Sequence, residues 1–325
     1  MRKELRAMEI EPKTSVDVFR ELLSLAAVNE PLVRYEKLGK GLFNSVYRLE
    51  FESSPPLILR IRKRAPDEHD MPFALEEQVC PLLPKTILVA RARFVSRTFG
   101  FAVFDFIEGA TLTQATEGCE LFDGNLAERI GVLLAQLHSV RGLGFGDIRR
   151  CDYSPNQNIQ YAKQLFMKSH RLFADCAPHL TATYERASSV WLDVIASTPP
   201  MLRFPTLLHG DVHAGNLIVT RDSAVTLIDW EGSTFGLTAL DLARLKLSLD
   251  SAHPDWFSNI VQAYISAAGL QGYRVDLEAL IAVFESFLRC YLVLLESRFR
   301  DPTSSHSLKD PGFHSIERCL DGWNP

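Results

Sequence analysis

His209-Gly210-Asp211-Val212-His213-Ala214-Gly215-Asn216 runs straight into Leu217-Ile218-Val219, and Ala224-Val225-Thr226-Leu227-Ile228-Asp229-Trp230-Glu231-Gly232 follows a few residues later. Asp211 and Asn216 lie five apart in a polar loop, and Asp229 ends the second apolar run, 13 beyond Asn216. Asn and Asp carry hard oxygens of the kind Mg²⁺ accepts beside water and phosphate. If Asn216 and Asp229 serve that ion, Asp211 is left to accept the proton of an attacking hydroxyl. Either segment alone reads equally well as a polar turn closing a hairpin. The two together, in this order and behind an apolar lead-in, read as a reaction centre.

N-terminal to this loop the pattern is strand-rich. Residues 15–28 read as a helix, with Ser15 as N-cap and Val16, Phe19, Leu22, Leu23 and Ala26 at helical spacing. Strands are predicted at 33–38, 45–51 and 57–62, a helix at 72–83 containing Pro81, and strands near 93–97 and 101–106. From Gly109 onward the period becomes helical. Helices are expected at 125–139, over 158–198 with a break around Ala177-Pro178, and at 238–250, 255–268 and 276–299. Short strands are expected near 216–220 and 224–229. Asp301-Pro302 and Asp310-Pro311 read as breakers of an irregular C-terminal end. The pattern implies an α+β chain, with a small antiparallel-sheet part over 1–108 and a larger, mainly helical part over 109–325. The joint falls near Asp105-Phe106-Ile107-Glu108-Gly109.

Three further features could serve phosphate chemistry. The turn Leu38-Gly39-Lys40-Gly41-Leu42-Phe43-Asn44-Ser45 lies between two strands, where glycine lets backbone N–H groups approach an anion. It lacks the third glycine of the full protein-kinase signature. In Leu57-Ile58-Leu59-Arg60, alternation puts Ile58 and Arg60 on the face opposite Leu57 and Leu59. A cation there could hold phosphates, or it could be a solvated strand end. Glu76 or Glu77 could orient it, and Glu76 shares a helix side with Val79 and Leu83.

Composition narrows the class. The 325 residues are 46% hydrophobic with a formal charge of −5, far from the basic balance of a nucleic-acid binder. The six cysteines form no C-x-x-C pair, and none sits beside a His at zinc-ligand spacing. No run of about 18 apolar residues suggests a membrane span, and Met1–Arg6 precedes no apolar stretch of a secretory kind. A cytoplasmic protein is expected, monomer or homodimer, without nucleic-acid or membrane partners.

With these residues in view, the chain resembles the aminoglycoside phosphotransferase and choline kinase family, relatives of the protein kinases. His209–Asn216 matches the family's catalytic loop, where protein kinases carry H-R-D, and Ile228-Asp229-Trp230-Glu231 matches the metal-binding segment that stands for D-F-G. Leu38–Tyr47 is similar to the nucleotide loop, Leu57–Arg60 to the phosphate-gripping strand and Phe104–Gly109 to the interlobe hinge. Leu137-His138-Ser139 and Phe235–Ala243 match two further segments. The resemblance implies a bilobal protein-kinase-like fold and transfer of a γ-phosphate from ATP, with Mg²⁺, to a hydroxyl of a small molecule. It implies Asp211 as catalytic base and Asn216 and Asp229 as magnesium ligands. Arg60 would sit on the α/β-phosphates, paired with Glu76. Gly39, Gly41, Asn44, Ser45 and Ile58 would line the nucleotide site, with Asp105, Phe106 and Ile107 at the adenine edge. His209 and Asp241 would support the loop. GTP is not excluded as donor. A nucleotide-binding pseudokinase or a protein kinase remain the alternatives, although no activation loop with A-P-E follows Asp229.

Acceptor identity is open. A polycation should meet carboxylates, yet 141–200 holds five acidic against seven basic residues and 251–325 nine against six. Tyr153, Tyr161, Trp191, Trp256, Tyr264 and Tyr291 could line a pocket for a quaternary amine or fill a core.

Overall fold

Alternation in Leu57–Arg62 decides how the first part of the molecule is layered. The computed structural model describes residues 16–39, 44–63, 72–96, 100–117, 125–249, 254–299 and 311–323. Gly41 and Ser15 lie outside these. The chain forms two compact units, Met1–Ala110 with Ile218–Glu231, and Thr111–Leu217 with Gly232–Pro325.

In the first unit, α1 (Val16–Leu25) precedes strands β1 (Leu32–Gly39), β2 (Asn44–Phe51) and β3 (Leu57–Arg62), then α2 (Pro72–Val79), β4 (Ala92–Ser96) and β5 (Phe101–Asp105). The five strands make one antiparallel sheet in the order β1-β2-β3-β5-β4. Leu57, Leu59 and Ile61 turn to one face and pack with Phe19, Leu22 and Leu23 of α1 and with Leu49, Phe101 and Val103. The other face carries Ile58, which packs against Phe73, Ala102 and Phe104. Arg60 is on that second face, among apolar neighbours, and is only 6% exposed.

The predicted helix 72–83 stops early. α2 ends at Val79 and a 3-10 turn, Cys80–Leu82, takes over. Pro81 has no N–H to continue the ladder, and its ring clashes with the preceding turn.

The second unit is mainly helical. β6 (Ala110–Thr111), where the chain leaves the first unit, is followed by α3 (Leu112–Glu117), α4 (Asn125–His138), α5 (Asn158–Cys176) and α6 (Thr181–Ser197). α5 and α6 part at Ala177, as Pro178 requires. β7 (Thr206–Leu208) leads into the loop at 209–216. Then β8 (Leu217–Val219) and β9 (Val225–Leu227) form a hairpin that belongs to the first unit from Ile218 onward. β10 (Thr234–Gly236) pairs antiparallel with β7. α7 (Ala239–Leu249), α8 (Pro254–Ala268), α9 (Arg274–Phe299) and α10 (Pro311–Asp321) complete the chain.

α10 corrects the expectation of an irregular C-terminal end. Pro311 starts a helix here, because proline's fixed φ suits the first helical position, where no N–H partner is lost. Ile316 and Leu320 are buried on its inner side. Several candidate pocket aromatics prove to be core. Trp191 is fully buried against Phe166 and Tyr184, and Tyr161 and Tyr264 are buried as well. No helix among the described residues is long and apolar enough to cross a membrane.

Candidate active site

The first unit gathers one charged cluster around Arg60. On β3, Arg60 donates from Nη1 to Glu76 Oε1 at 2.5 Å, and from Nη2 to Asp229 Oδ1 at 2.7 Å and Glu231 Oε2 at 3.1 Å. Glu76 is buried and Glu77 exposed, so the helical register of α2 selects Glu76. Burial alone would pull the guanidinium down, but Glu76, Asp229 and Glu231 outweigh it and hold Arg60 above its ordinary value. Burial pushes Glu76 up, against the pull of Arg60, and burial with the neighbouring Asp229 raises Glu231. Three carboxylates around one guanidinium leave a local excess of negative charge. The rings of Phe73 and Phe104 flank the guanidinium at 5.2 and 5.6 Å.

Asp229 sits in the left-handed region at φ +70°. Asp tolerates that better than most residues, and such strain gathers at working sites. Glu231 was quoted in the sequence motif without a role. Its signal was the short Asp229-Trp230-Glu231 turn, which returns the second carboxylate to the same guanidinium. Asn44, at the start of β2, donates from Nδ2 to Glu231 Oε2 at 3.1 Å, while its Oδ1 is buried without a partner among the described residues.

The remaining candidates of this unit are spread along the sheet. Gly39 ends β1 opposite Val46, and Ser45 is buried opposite Ile61 on β3. Asp105 ends β5 and accepts from Arg93 Nε at 2.5 Å. Phe106 lies beneath the guanidinium of Arg48, 4.6 Å from the ring centre. Ile107 follows in a stretch without regular secondary structure.

In the second unit the loop at 209–216 is held from α7. Asp241 accepts from the backbone N–H groups of His209 at 2.8 Å and Gly210 at 2.9 Å. His138, from the Leu137-His138-Ser139 segment, places Nε2 3.3 Å from Asp241 Oδ2 and Nδ1 3.2 Å from the Tyr264 hydroxyl. His209 is fully buried, and its Nδ1 accepts from the Asp211 N–H at 3.3 Å. Gly210 stands at φ +83°, and a Cβ there would lie 2.0 Å from the Gly232 carbonyl oxygen. Only glycine fits that approach.

This scaffold presents Asp211. Arg244 Nε donates to its Oδ1 at 2.9 Å. On the other oxygen the contacts are longer: His213 Nε2 and Asn216 Nδ2 each lie 3.5 Å from Oδ2. His213 Nδ1 accepts from Gly215 N–H at 3.0 Å, so its proton sits on Nε2, toward Asp211. Asn216 also donates from Nδ2 to the Asp211 carbonyl at 3.0 Å, which turns its Oδ1 the other way. Partial burial works against ionisation of Asp211, but the His213 hydrogen bond and the Arg244 charge outweigh it and bring the carboxyl down to about 2. At neutral pH it is a fixed carboxylate, its side chain 44% exposed. Arg244 had no individual signal in the sequence beyond its place three residues after Asp241.

Comparison with known proteins shows the family and the fold. The model of the phosphotransferase enzyme family matches residues 34–277, three-quarters of the chain. No curated protein sequence matches it. Among solved structures, the chain is similar to choline kinase LicA from Streptococcus pneumoniae at 16% identity and a TM-score of 0.63, covering 94% of this chain and 99% of that one. It is similar to a macrolide 2'-phosphotransferase type I at 17% identity and a TM-score of 0.62, covering 96% and 98%. It also resembles aminoglycoside phosphotransferase APH(4)-Ia, in a ternary complex with ADP and hygromycin B, at 12% identity and a TM-score of 0.66, covering 94% and 97%. An α+β chain with an antiparallel sheet first and helices after, with this fold and this match, belongs to the phosphotransferase enzyme family.

Proposed function

We propose that the chain transfers the γ-phosphate of ATP, with Mg²⁺, to a hydroxyl of a small molecule, and that Asp211 receives that hydroxyl. The observation that carries this reading is the setting of Asp211: a half-open carboxylate held through Oδ1 by Arg244, on a loop whose backbone is fixed by Asp241. Phosphoryl transfer asks mainly for positioning and charge. A carboxylate of low basicity suits a role in aligning the hydroxyl and taking its proton late. Arg60, held by Glu76, would meet the α/β-phosphates. Gly39, Gly41, Asn44, Ser45 and Ile58 would line the nucleotide, and the backbone of Asp105, Phe106 and Ile107 would meet its base, ATP or GTP. On this reading the first unit is the nucleotide-binding part and the second the catalytic and acceptor-binding part.

The donors of the first unit fit magnesium. The excess negative charge beside Arg60 favours a divalent cation, and Asp229 brings a hard carboxylate oxygen. Asn216 would add its amide oxygen, since its N–H groups are spent on Asp211. The ion would neutralise charge developing on the phosphates. Relatives named for choline, a macrolide and an aminoglycoside support a small hydroxyl compound as acceptor.

The test is magnesium-dependent ADP release across a panel of aminoglycosides, macrolides, choline, homoserine, sugars and nucleosides. One class should stimulate release. Asp211→Asn should then lower turnover about 10²–10⁴-fold with nucleotide affinity within a few fold. Unchanged turnover in that variant would show the mechanism to be wrong.

A further inference from the structure

α7 touches the loop at three successive points with one face. Asp241, Arg244 and Ser248 follow each other at spacings of three and four, which stacks them along a helix. Asp241 takes the N–H groups of His209 and Gly210. Ser248 Oγ accepts the N–H of Ala214 at 3.1 Å and donates its own hydrogen to the Leu245 carbonyl at 2.8 Å. These two rungs hold backbone. Between them, Arg244 reaches a side chain of the loop, and that side chain is Asp211.

We infer that Arg244 is a positioning residue for the reaction, holding Asp211 by Oδ1 so that Oδ2 is the oxygen offered to the acceptor hydroxyl. This rests on the reading of Asp211 given above. A carboxylate otherwise rotates about χ2 over a broad range. The directional bond from Nε to Oδ1 removes that freedom. The remaining contacts, His213 Nε2 and Asn216 Nδ2 each 3.5 Å from Oδ2, are longer than the 2.9 Å bond from Arg244 and leave Oδ2 the more open of the two oxygens. Nε sits on a rigid planar group, and Arg244 is partly buried on a helix, so the bond is made before substrate arrives. Arg244 does not itself touch phosphate or acceptor in this account; it acts through Asp211.

The experiment is a double-mutant cycle on Asp211→Asn and Arg244→Gln, with Arg244→Lys as the conservative variant. ADP release is read with the best acceptor of the panel and with water alone, beside the nucleotide dissociation constant and the melting temperature. Arg244→Gln should lower kcat about 10- to 100-fold, the scale of a misplaced reacting group, and leave nucleotide affinity within twofold. Arg244→Lys should recover part of kcat. In the Asp211→Asn background, Arg244→Gln should add less than twofold, because the residue it acts through is gone. An equal loss in both backgrounds, or a kcat unchanged by Arg244→Gln, overturns the inference. Full turnover in Asp211→Asn alone overturns instead the reading beneath it. If Arg244→Gln melts far below the parent, Arg244→Lys carries the same cycle.

Discussion

Arg60 is asked to balance three carboxylates from a site almost closed to water. Removing a buried cation leaves its partners uncompensated, which costs more than the pair itself contributes. Arg60→Met should therefore destabilise the chain by about 3–5 kcal/mol, read by urea denaturation. The double variant Arg60→Met with Glu76→Leu should recover much of that loss. A single variant as stable as the parent would mean that the cluster is not closed in solution. Another residue pair gives a pH readout. A hydrogen bond from the Cys290 thiol favours the thiolate of Cys319, bringing it down to about 7, while Cys290 itself is pushed up. The thiolate is the nucleophile. Alkylation of Cys319, followed by mass spectrometry, should thus rise with pH to a half-maximum near 7. A half-maximum near the ordinary thiol value would contradict the pairing. Of the residues at this scale, spacing favoured Glu76 over Glu77 beside Arg60 without deciding between them, and burial of Glu76 decides it. Glu231 and Cys319 could not be paired from spacing, because each depends on a contact over a long sequence separation.

Elements begin and end where local chemistry tells them to. α1 closes in a Schellman pattern, with Val28 N–H on the Leu23 carbonyl and Ala27 N–H on the Ser24 carbonyl. Ala27 itself is left at φ +55°, a place glycine fills without strain. Ala27→Gly should stabilise by about 0.5–1 kcal/mol, the left-handed cost of Ala less the added unfolded-state freedom of Gly. A rise of about 1–2 °C in Tm would be the sign of it, and a fall would refute the capping account. Proline shows how one residue type reads both ways. Pro81 ends α2, while Pro311 opens α10. Only the presence of a buried face downstream, Ile316 and Leu320, separates the two cases, and burial is not visible in a breaker motif.

At the scale of the molecule, the hairpin at 218–231 is grouped with strands more than a hundred residues earlier. Thr226 donates to the Leu88 carbonyl, Arg221 pairs with Glu108, and Asp229 and Glu231 meet Arg60. In native-state hydrogen exchange, the amides of β9 should share the opening free energy of β3 and β5, since units open together. β9 amides exchanging with those of α4 and α9 instead would place the hairpin with the helices.

The sequence by itself determined the five strands of the first part, the long helices that follow them, and Asp211, Asn216, Asp229 and Arg60 as the candidate polar residues, while α3, α10 and the short strands β6, β7 and β10 were not legible in it. The legible features follow from period, alternation and short spacings, which are local. Only the tertiary structure decided what holds them. Arg244 and Ser248 on α7, His138 on α4 and Glu231 on its turn matter through contacts 33 to 171 residues apart. A hydrogen bond across such a distance has no periodicity to betray it; it exists only once packing has brought the two elements together.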